Sequence, residues 1–367
     1  MTLDEYQAKA FATAQIDWDE PSKRHVPAFG SIGELGSLVS ELKKSLRDGA
    51  AYTEGNQNLV EEFGDVLWYL AAIASHYELA VSDLVNSVKA TRSARVGAFD
   101  HIYAMMRAIP SLTEQFQALP RRPTAAAKRK LAASLGTSLA ATIAAIRQQK
   151  LDLDKVLETN LDKVHGMFGT PQGPARCFDK KQPGYEQLPR KLHVQFLERA
   201  RGETRLEVIL RVHDLNIGDR LTDNSSTDDG YRFHDVFHLA YAAVLGWSPV
   251  VRATFRCKRK SVPKIDEIED GARAAIVEEA IAQTVFNYAR GHSMLSGLQR
   301  LDHGILKLIH RMVRGLEVEV CALNEWQHAI IVGFSAFRSL RQNRGGWLTL
   351  DAETRSLTYS REGPGAA

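Results

Sequence analysis

The feature that most constrains the fold is a helical repeat of apolar residues over positions 3–95. Apolar side chains recur at intervals of three and four residues, the spacing of one face of an α-helix. Glycine and polar residues around positions 48–49 and 54–56 interrupt the pattern and separate two such helices. The region is therefore predicted to be all-α. The apolar positions are Leu35, Leu38, Val39, Leu42 and Leu46, then Val66, Leu67, Leu70 and Ile73.

A second helical stretch, residues 102–168, resembles a degenerate copy of the first. The run Ser134–Thr137 stands where Glu62–Asp65 stood, and Asn160–Lys163 matches Asn86–Lys89. A repeat of this size suggests a duplication whose copies pack as an internal pseudo-dimer. The alternative is chance likeness between two helices rich in Leu and Ala. Because Ser134 and Thr137 replace the acids, the second copy is predicted to be a structural partner that binds no metal.

The domain organisation follows from length and from helix breakers. A chain of 367 residues is expected to form two or three domains. Pro and Gly crowd residues 169–190, which predicts a linker. Strand-like runs at 193–197 and 206–212, a helical region over 233–340 and a terminal hairpin predict an α+β remainder. The predicted fold is mainly α, with an all-α module at 1–98, its degenerate repeat at 99–168, and an α+β domain at 191–367.

Composition and charge indicate which kinds of partner and which cellular compartment to expect. A net charge of +3 on this length favours neither nucleic acid nor a membrane surface as partner. Cys177, Cys257 and Cys321 form no paired motif, which predicts reduced thiols in the cytoplasm. The sequence begins with acidic residues and contains no long apolar run, so neither a signal peptide nor a membrane span is expected. A homo-oligomer remains open.

Two helices carry acidic faces at matched positions. Glu34, Ser37 and Glu41 share one face of the first helix, and Glu62 and Asp65 hold the same relation to the apolar stripe of the second. Packing the stripes together brings the carboxylates to one side, where a hard cation would neutralise them. Mg²⁺ suits such oxygen ligands, with Mn²⁺ as an alternative. The competing interpretation is a solvated acidic face.

Two glycines and a basic face accompany these acids. Gly36 and Gly64 lie inside the helices at the same phase, which suggests close helix approach or room for a ligand. Polar and basic residues then recur at three-residue steps, and they could hold phosphate oxygens. Alone, this face would be an ordinary basic surface. Its members are Asn86, Lys89, Arg92 and Arg95.

These motifs resemble those of the MazG-like all-α nucleoside-triphosphate pyrophosphohydrolases, relatives of the dimeric dUTPases. The resemblance covers residues 1–95 and rests on Glu5-Tyr6-Gln7, on Gly33-Glu34-Leu35-Gly36-Ser37, on the run EEFGDVLWYL at 61–70, and on Asn86 with Lys89. It implies hydrolysis of a nucleoside triphosphate to the monophosphate and pyrophosphate. Glu34, Glu62 and Asp65 would be catalytic, and these three with Glu41 would hold Mg²⁺. Asn86, Lys89, Arg92 and Arg95 would bind the triphosphate.

One position departs from the family pattern. Ser37 stands where the family has the second acid of an ExxE pair, and a hydroxyl is a far weaker ligand of Mg²⁺. Glu41, one turn further on, would compensate. The alternative function is therefore a catalytically impaired, nucleotide-sensing module that controls a C-terminal effector domain. Triphosphate hydrolysis is compatible with two biological roles, the removal of non-standard nucleotides (housecleaning) and the depletion of nucleotides.

A second constellation lies in the C-terminal half. His234 and His238 are one helical turn apart and could bind one metal ion, with Asp235 beside them and Glu278 or Glu279 as an oxygen ligand. A basic loop at 256–261 would meet phosphates in that interpretation. In the structural alternative, which the apolar neighbours slightly favour, the histidines are packing residues and the loop is solvated.

Overall fold

The computed structural model describes residues 1–88, 97–120, 123–167, 170–202 and 205–363. It divides into two compact units, Met1–Phe168 (unit 1) and Gly169–Ala367 (unit 2). Unit 1 contains helices only in its described part, and unit 2 combines helices with one sheet. The predicted fold class, mainly α with an α+β C-terminal region, is confirmed. Among the described residues, no helix combines the length and apolar character needed to cross a membrane.

Unit 1 is built on a helix pair formed where the sequence places its two apolar stripes. Leu38, Phe63, Leu70 and Ile73 are fully buried in its core, whereas Leu46, at the end of the first stripe, is exposed. The helices are α1 Leu3–Ala12, α2 Val26–Asp48, α3 Gly55–His76, α4 Val81–Ser87, α5 Asp100–Gln117, α6 Ala125–Gln148 and α7 Leu153–Met167.

In unit 1, helices of the first predicted copy pack against helices of the second. The pair α2–α3 and the pair α5–α6 each pack closely, α4 packs on α6, and α7 packs on α3. Two glycines make the last two contacts possible. A Cβ at Gly64 of α3 would lie 2.7 Å from the Cβ of Asn160 on α7, and one at Gly136 of α6 would lie 2.7 Å from the carbonyl oxygen of Leu84 on α4. The predicted copies are therefore in contact, and their origin by duplication stays a prediction.

Unit 2 contains one antiparallel sheet with the strand order β3-β2-β1-β4-β5. The runs predicted at 193–197 and 206–212 lie in β1 and β2, and the predicted hairpin forms β4 and β5. The strand β3 was not predicted, because most of its residues are exposed and its apolar residues are few. The strands are β1 Lys191–Arg201, β2 Arg205–Val212, β3 Leu215–Leu221, β4 Gly345–Asp351 and β5 Ser356–Ser360.

One helix of unit 2 is buried along nearly its whole length and positions the second constellation. This helix, α8, packs on α13 and on the strands β4 and β5, and its residues from Val236 to Leu245 are all buried. A short 3-10 turn, Tyr231–Phe233, leads into it. The helices are α8 Asp235–Leu245, α9 Pro249–Thr254, α10 Pro263–Ile268, α11 Ala272–Arg290, α12 His303–Met312 and α13 Leu323–Asn343.

The segment predicted to be a linker, residues 169–190, is part of unit 2 where it is described. Asp179 and Leu188 are buried, and the Asp179 carboxylate accepts hydrogen bonds from the Leu188 backbone N–H and from Arg252, both at 2.7 Å. Pro and Gly prevent a regular element here, but they do not prevent packing, because the polar groups of the segment find partners within the unit.

Candidate functional site

Three carboxylates converge in unit 1. Glu34 comes from α2, and Glu62 and Asp65 come from α3, one turn apart. One oxygen atom from each of the three lies within 4.8 Å of the other two, and all three side chains are half-buried. The packing of the two apolar stripes therefore brings these acids together, as the sequence predicts for Glu34, Glu62 and Asp65.

The proximity of these acids affects the ionisation of Glu34. Burial, followed by the charges of Asp65 and Glu62, raises the pKa of Glu34 to about 7. A hydrogen bond between Glu34 and Glu62 acts in the same direction. Three acids held so close repel one another once ionised, and a divalent cation would relieve that repulsion. The donor set, all carboxylate oxygens at partly exposed positions, fits Mg²⁺ or Mn²⁺.

Two polar residues of α7 complete this cluster. The Lys163 ammonium donates a hydrogen bond to the Asp65 carboxylate, and the Asn160 side-chain amide donates to the same carboxylate at 3.0 Å. Burial opposes ionisation of Lys163, but Asp65 raises the Lys163 pKa overall. The Tyr6 hydroxyl of α1 donates to the Asn160 side-chain oxygen at 2.8 Å and so orients its amide. Sequence reasoning noted Asn160 and Lys163 only as a likeness to Asn86 and Lys89, which was the available signal.

Glu41 lies in different surroundings from those predicted. It is buried and accepts hydrogen bonds from Lys44, Tyr52 and, at 3.3 Å, Asn58. Burial opposes ionisation of Glu41, yet these donors lower its pKa overall. The physical reason is distance along the helix, since seven residues place Glu41 about 10 Å beyond Glu34. The structure therefore groups Glu34 with Glu62 and Asp65 and puts Glu41 in a separate polar cluster.

The predicted triphosphate-binding face is only partly described. Asn86 is exposed on α4, the helix that packs on α6, and its role stays a prediction. Lys89, Arg92 and Arg95 lie outside the described residues. The glycines behave differently from each other. Gly64 is buried and allows the close approach of Asn160, whereas no atom of the described chain lies within 4 Å of a Cβ placed on Gly36.

An open groove of about 670 Å³ runs along α2 and α5, and none of the three acids is among its lining residues. It begins at Gly33, next to Glu34 in sequence, and includes the ring of Phe29, which is 74% exposed. Its other lining residues are His25, Ala28, Ile32, Thr113, Glu114 and Gln117.

The second constellation is assembled in unit 2. One ligand atom from each of His234, Asp235 and His238 lies within 4.8 Å of the others. From α11, Glu278 lies 2.9 Å from the His238 Nδ1 atom, and Glu279 lies 3.5 Å from the His238 Nε2 atom. Burial opposes protonation of His238, but these two acids raise the pKa of His238 overall. The structure therefore brings all five predicted residues together.

The basic loop at 256–261 does not present all its charges to solvent. Arg259 is fully buried and pairs with Asp270 at 2.6 Å and with Glu317 at 2.7 Å. Both interpretations of this loop, phosphate-binding and solvated, are therefore wrong for Arg259. Burying an arginine charge is costly unless carboxylates compensate for its lost hydration, and Asp270 and Glu317 do so here.

Comparison with known proteins identifies unit 2. Residues 173–363 match the family described as the MazG C-terminal domain. A segment of 92 residues is 34% identical to "Gene 37 protein" of Mycobacterium phage L5, covering 23% of this chain and 81% of that protein. No solved structure matches.

The family match extends over half of the chain but does not include residues 1–95, whose resemblance to the pyrophosphohydrolases stays a prediction. A MazG-related domain suggests a nucleotide-related function. The match to unit 2 shows that the chain belongs to the MazG C-terminal domain family.

Proposed function

We propose that unit 1 hydrolyses nucleoside triphosphates, either NTPs or dNTPs, to the monophosphate and pyrophosphate in a Mg²⁺-dependent reaction. The observation that carries this proposal is the convergence of Glu34, Glu62 and Asp65 from two helices, with oxygen atoms within 4.8 Å of one another. The MazG-related unit 2 on the same chain supports a nucleotide as the substrate.

The three acids divide the work of the reaction. A bound Mg²⁺ would polarise phosphoryl oxygens and organise the attacking water. Glu62 and Asp65 would hold the ion, together with Glu34. Without the ion, burial and the acidic neighbours raise the pKa of Glu34 to about 7. A bound dication would lower that pKa again, so we assign Glu34 to holding the ion and to orienting the attacking water.

Residues of α7 hold the phosphates beside the acids. Lys163 brings a positive charge to Asp65, and Asn160 presents an amide whose orientation is set by Tyr6. Charge-assisted contacts of this kind stabilise phosphoryl oxygens as negative charge develops on them. Asn86 and the basic residues that follow α4 remain the further proposed contacts to the triphosphate.

The groove beside Gly33 offers room for the nucleoside. Its exposed Phe29 ring and its His25 side chain provide flat surfaces on which a base can stack. Thr113, Glu114 and Gln117 add polar groups to its lining, and this mixed lining supports no particular base preference.

A specific observation favours a second candidate, a nucleotide-sensing module. Ser37 supplies a hydroxyl where an acid is expected, and Lys163 already neutralises part of the charge of Asp65. Both features reduce the negative charge that a bound cation would neutralise. In this alternative the site binds nucleotide without cleaving it, and unit 2 is the effector.

The test is a pyrophosphate-release assay on the full chain with Mg²⁺ and a panel of NTPs and dNTPs. We expect equimolar monophosphate and pyrophosphate from at least one nucleotide, and at least a hundredfold loss in Asp65→Asn. Asp83→Asn, an exposed acid of α4, is the matched control. Nucleotide binding without release would establish the sensor instead, whereas neither binding nor release would overturn both candidates.

A further inference from the structure

The buried histidine cluster of unit 2 lies outside the proposed hydrolytic site and has a chemistry of its own. We propose that His234, His238, Asp235 and Glu279 form a transition-metal site that takes Zn²⁺. Each imidazole is held through one ring nitrogen, the ligand atoms lie close together, and one buried nitrogen atom has no hydrogen-bond partner among the described residues.

Both imidazoles are held through the same ring atom. The His234 Nδ1 atom lies 2.9 Å from the carbonyl oxygen of Tyr231, and the His238 Nδ1 atom lies 2.9 Å from the Glu278 carboxylate. An acceptor at Nδ1 keeps the proton on that atom in a neutral imidazole, so the lone pair lies on Nε2. Metal-binding histidines commonly have such an outer partner, which sets the tautomer and orients the ring.

The second nitrogen of His238 is the unexplained group. The His238 side chain is 1% exposed, and its buried Nε2 atom has no hydrogen-bond partner in the described part of the chain. A buried polar atom left in this way costs free energy unless something binds it. Its nearest charged neighbour, a Glu279 oxygen at 3.5 Å, is at the limit for a hydrogen bond.

The separations suit one ion. The His234 Nε2 atom lies 3.4 Å from an Asp235 oxygen, and the His238 Nε2 atom lies 3.5 Å from a Glu279 oxygen. Ligands placed about 2.0–2.1 Å from a tetrahedral Zn²⁺ are about 3.3–3.4 Å apart. His234, Asp235 and His238 have ligand atoms within 4.8 Å of one another, and Glu279 lies beside His238, so small side-chain movements would bring these donors to one tetrahedral ion.

Glu278 holds the cluster without being a ligand itself. It is fully buried and accepts hydrogen bonds from the Ser248 hydroxyl at 2.6 Å and the Val250 backbone N–H at 2.9 Å, in addition to its contact with His238. These partners hold Glu278 in one position and fix the direction of the His238 ring.

The cluster opens toward solvent on its carboxylate side. The Glu279 side chain is 45% exposed and that of Asp235 is 17% exposed, whereas the histidines lie deeper. The cluster therefore reaches solvent at Glu279.

The donor set separates this site from the carboxylate cluster of unit 1. Imidazole nitrogen favours Zn²⁺ and other first-row transition ions, whereas Mg²⁺ prefers sites made of oxygen alone. The competing occupant is a proton, which would make His238 an imidazolium between Glu278 and Glu279. The two occupants differ in metal content.

The experiment uses the full chain carrying Glu62→Gln and Asp65→Asn, so that unit 1 does not contribute binding. The protein is stripped with chelator and titrated with Co²⁺, whose visible absorption reports tetrahedral nitrogen and oxygen ligands, and then with Zn²⁺ in competition. We expect one equivalent of Co²⁺, displaced by Zn²⁺, and a higher Tm with Zn²⁺ present.

Three variants in this background locate the ion. Glu279→Gln at the rim and His234→Gln are each expected to weaken Zn²⁺ binding at least tenfold and to abolish the Tm shift. His292→Gln, an exposed histidine of the same unit, is expected to retain both. Circular dichroism confirms that each variant folds. Absence of stoichiometric Co²⁺, or unchanged binding in both ligand variants, would overturn the metal site and leave the proton as occupant.

Discussion

Lys163 on α7 forms an ion pair with Asp65 on α3, and so joins the two halves of the proposed repeat. The half predicted to be the degenerate copy, with Ser134 and Thr137 at the matching positions, supplies the positive charge beside the acids of the other half. If the repeat arose by duplication, the second copy has kept a part in the site and is more than a scaffold. Two predictions about the site follow from this relationship.

The first prediction concerns which copy supplies the phosphate contacts. Lys163→Met is expected to lower kcat/KM for the nucleotide about 10–100-fold, because a hydrogen bond to a charged group contributes about 1.5–3 kcal/mol. Steady-state pyrophosphate release measures it, with Glu158→Gln, an exposed acid of the same helix, as the control. Asn86→Ala is the comparison on α4. A loss confined to Asn86→Ala would transfer the phosphate contacts to the first copy.

The second prediction concerns pH and stability without divalent cations. The folded-state pKa of Glu34, about 7, lies above its ordinary value of 4.5 because burial and neighbouring acids disfavour its charge. Ionisation of Glu34 therefore destabilises the folded protein progressively as the pH rises from about 4.5 through 7. At pH 8, after allowing for partial exposure, the cost is roughly 1–3 kcal/mol.

Glu34→Gln is accordingly expected to raise the Tm at pH 8 by about 2–6 °C in chelator, and to leave it unchanged at pH 4, where Glu34 is neutral in both states. Mg²⁺ should stabilise the wild type more than the variant at pH 8. Thermal melts followed by circular dichroism measure both effects. An equal Tm at pH 8 would mean that the three acids do not repel one another as described.

The sequence was sufficient to predict that the three acids lie together, but not to predict which residues surround them. Glu34, Glu62 and Asp65 could be grouped because each lies at a helical phase defined by an apolar stripe, and phase within a helix is a local property. Glu41 shares that phase but lies two turns further along α2. Its hydrogen-bond partners there are Tyr52 and Asn58, which lie beyond the end of α2. Phase alone does not give distance along the helix axis.

Long-range packing accounts for most of what could not be predicted. Asn160 and Lys163 are about a hundred residues from Asp65, and only the contact of α7 with α3 brings them to it. The buried pairing of Arg259 with Glu317 likewise joins distant segments. Periodicity identifies which face of a helix is apolar, but it does not identify which helix covers that face.

The third prediction concerns the missing acid. Ser37→Glu restores a carboxylate one turn beyond Glu34 and is expected to lower the apparent Kd for Mg²⁺ about tenfold, which corresponds to about 1.4 kcal/mol of added attraction. Isothermal titration without nucleotide measures this directly. Leu46→Glu, at an exposed position on the same helix, adds the same single negative charge and is the matched control. Equal gains in both variants would mean that position 37 does not face the ion.

The last prediction tests the close contact behind the site. In Gly64→Ala the new methyl carbon would lie 2.7 Å from the Asn160 Cβ, so α7 must move away from α3. We expect a loss of about 1–3 kcal/mol in the free energy of unfolding and a weaker contact of Asn160 and Lys163 with Asp65.

Gly36→Ala is the matched control inside α2, because its methyl group enters open space. There the higher helix propensity of alanine is expected to stabilise the protein by up to about 1 kcal/mol. Urea denaturation of both variants, followed by circular dichroism, measures the two changes. If both variants are stabilised alike, α7 does not pack on Gly64 and the role assigned to Asn160 and Lys163 fails with it.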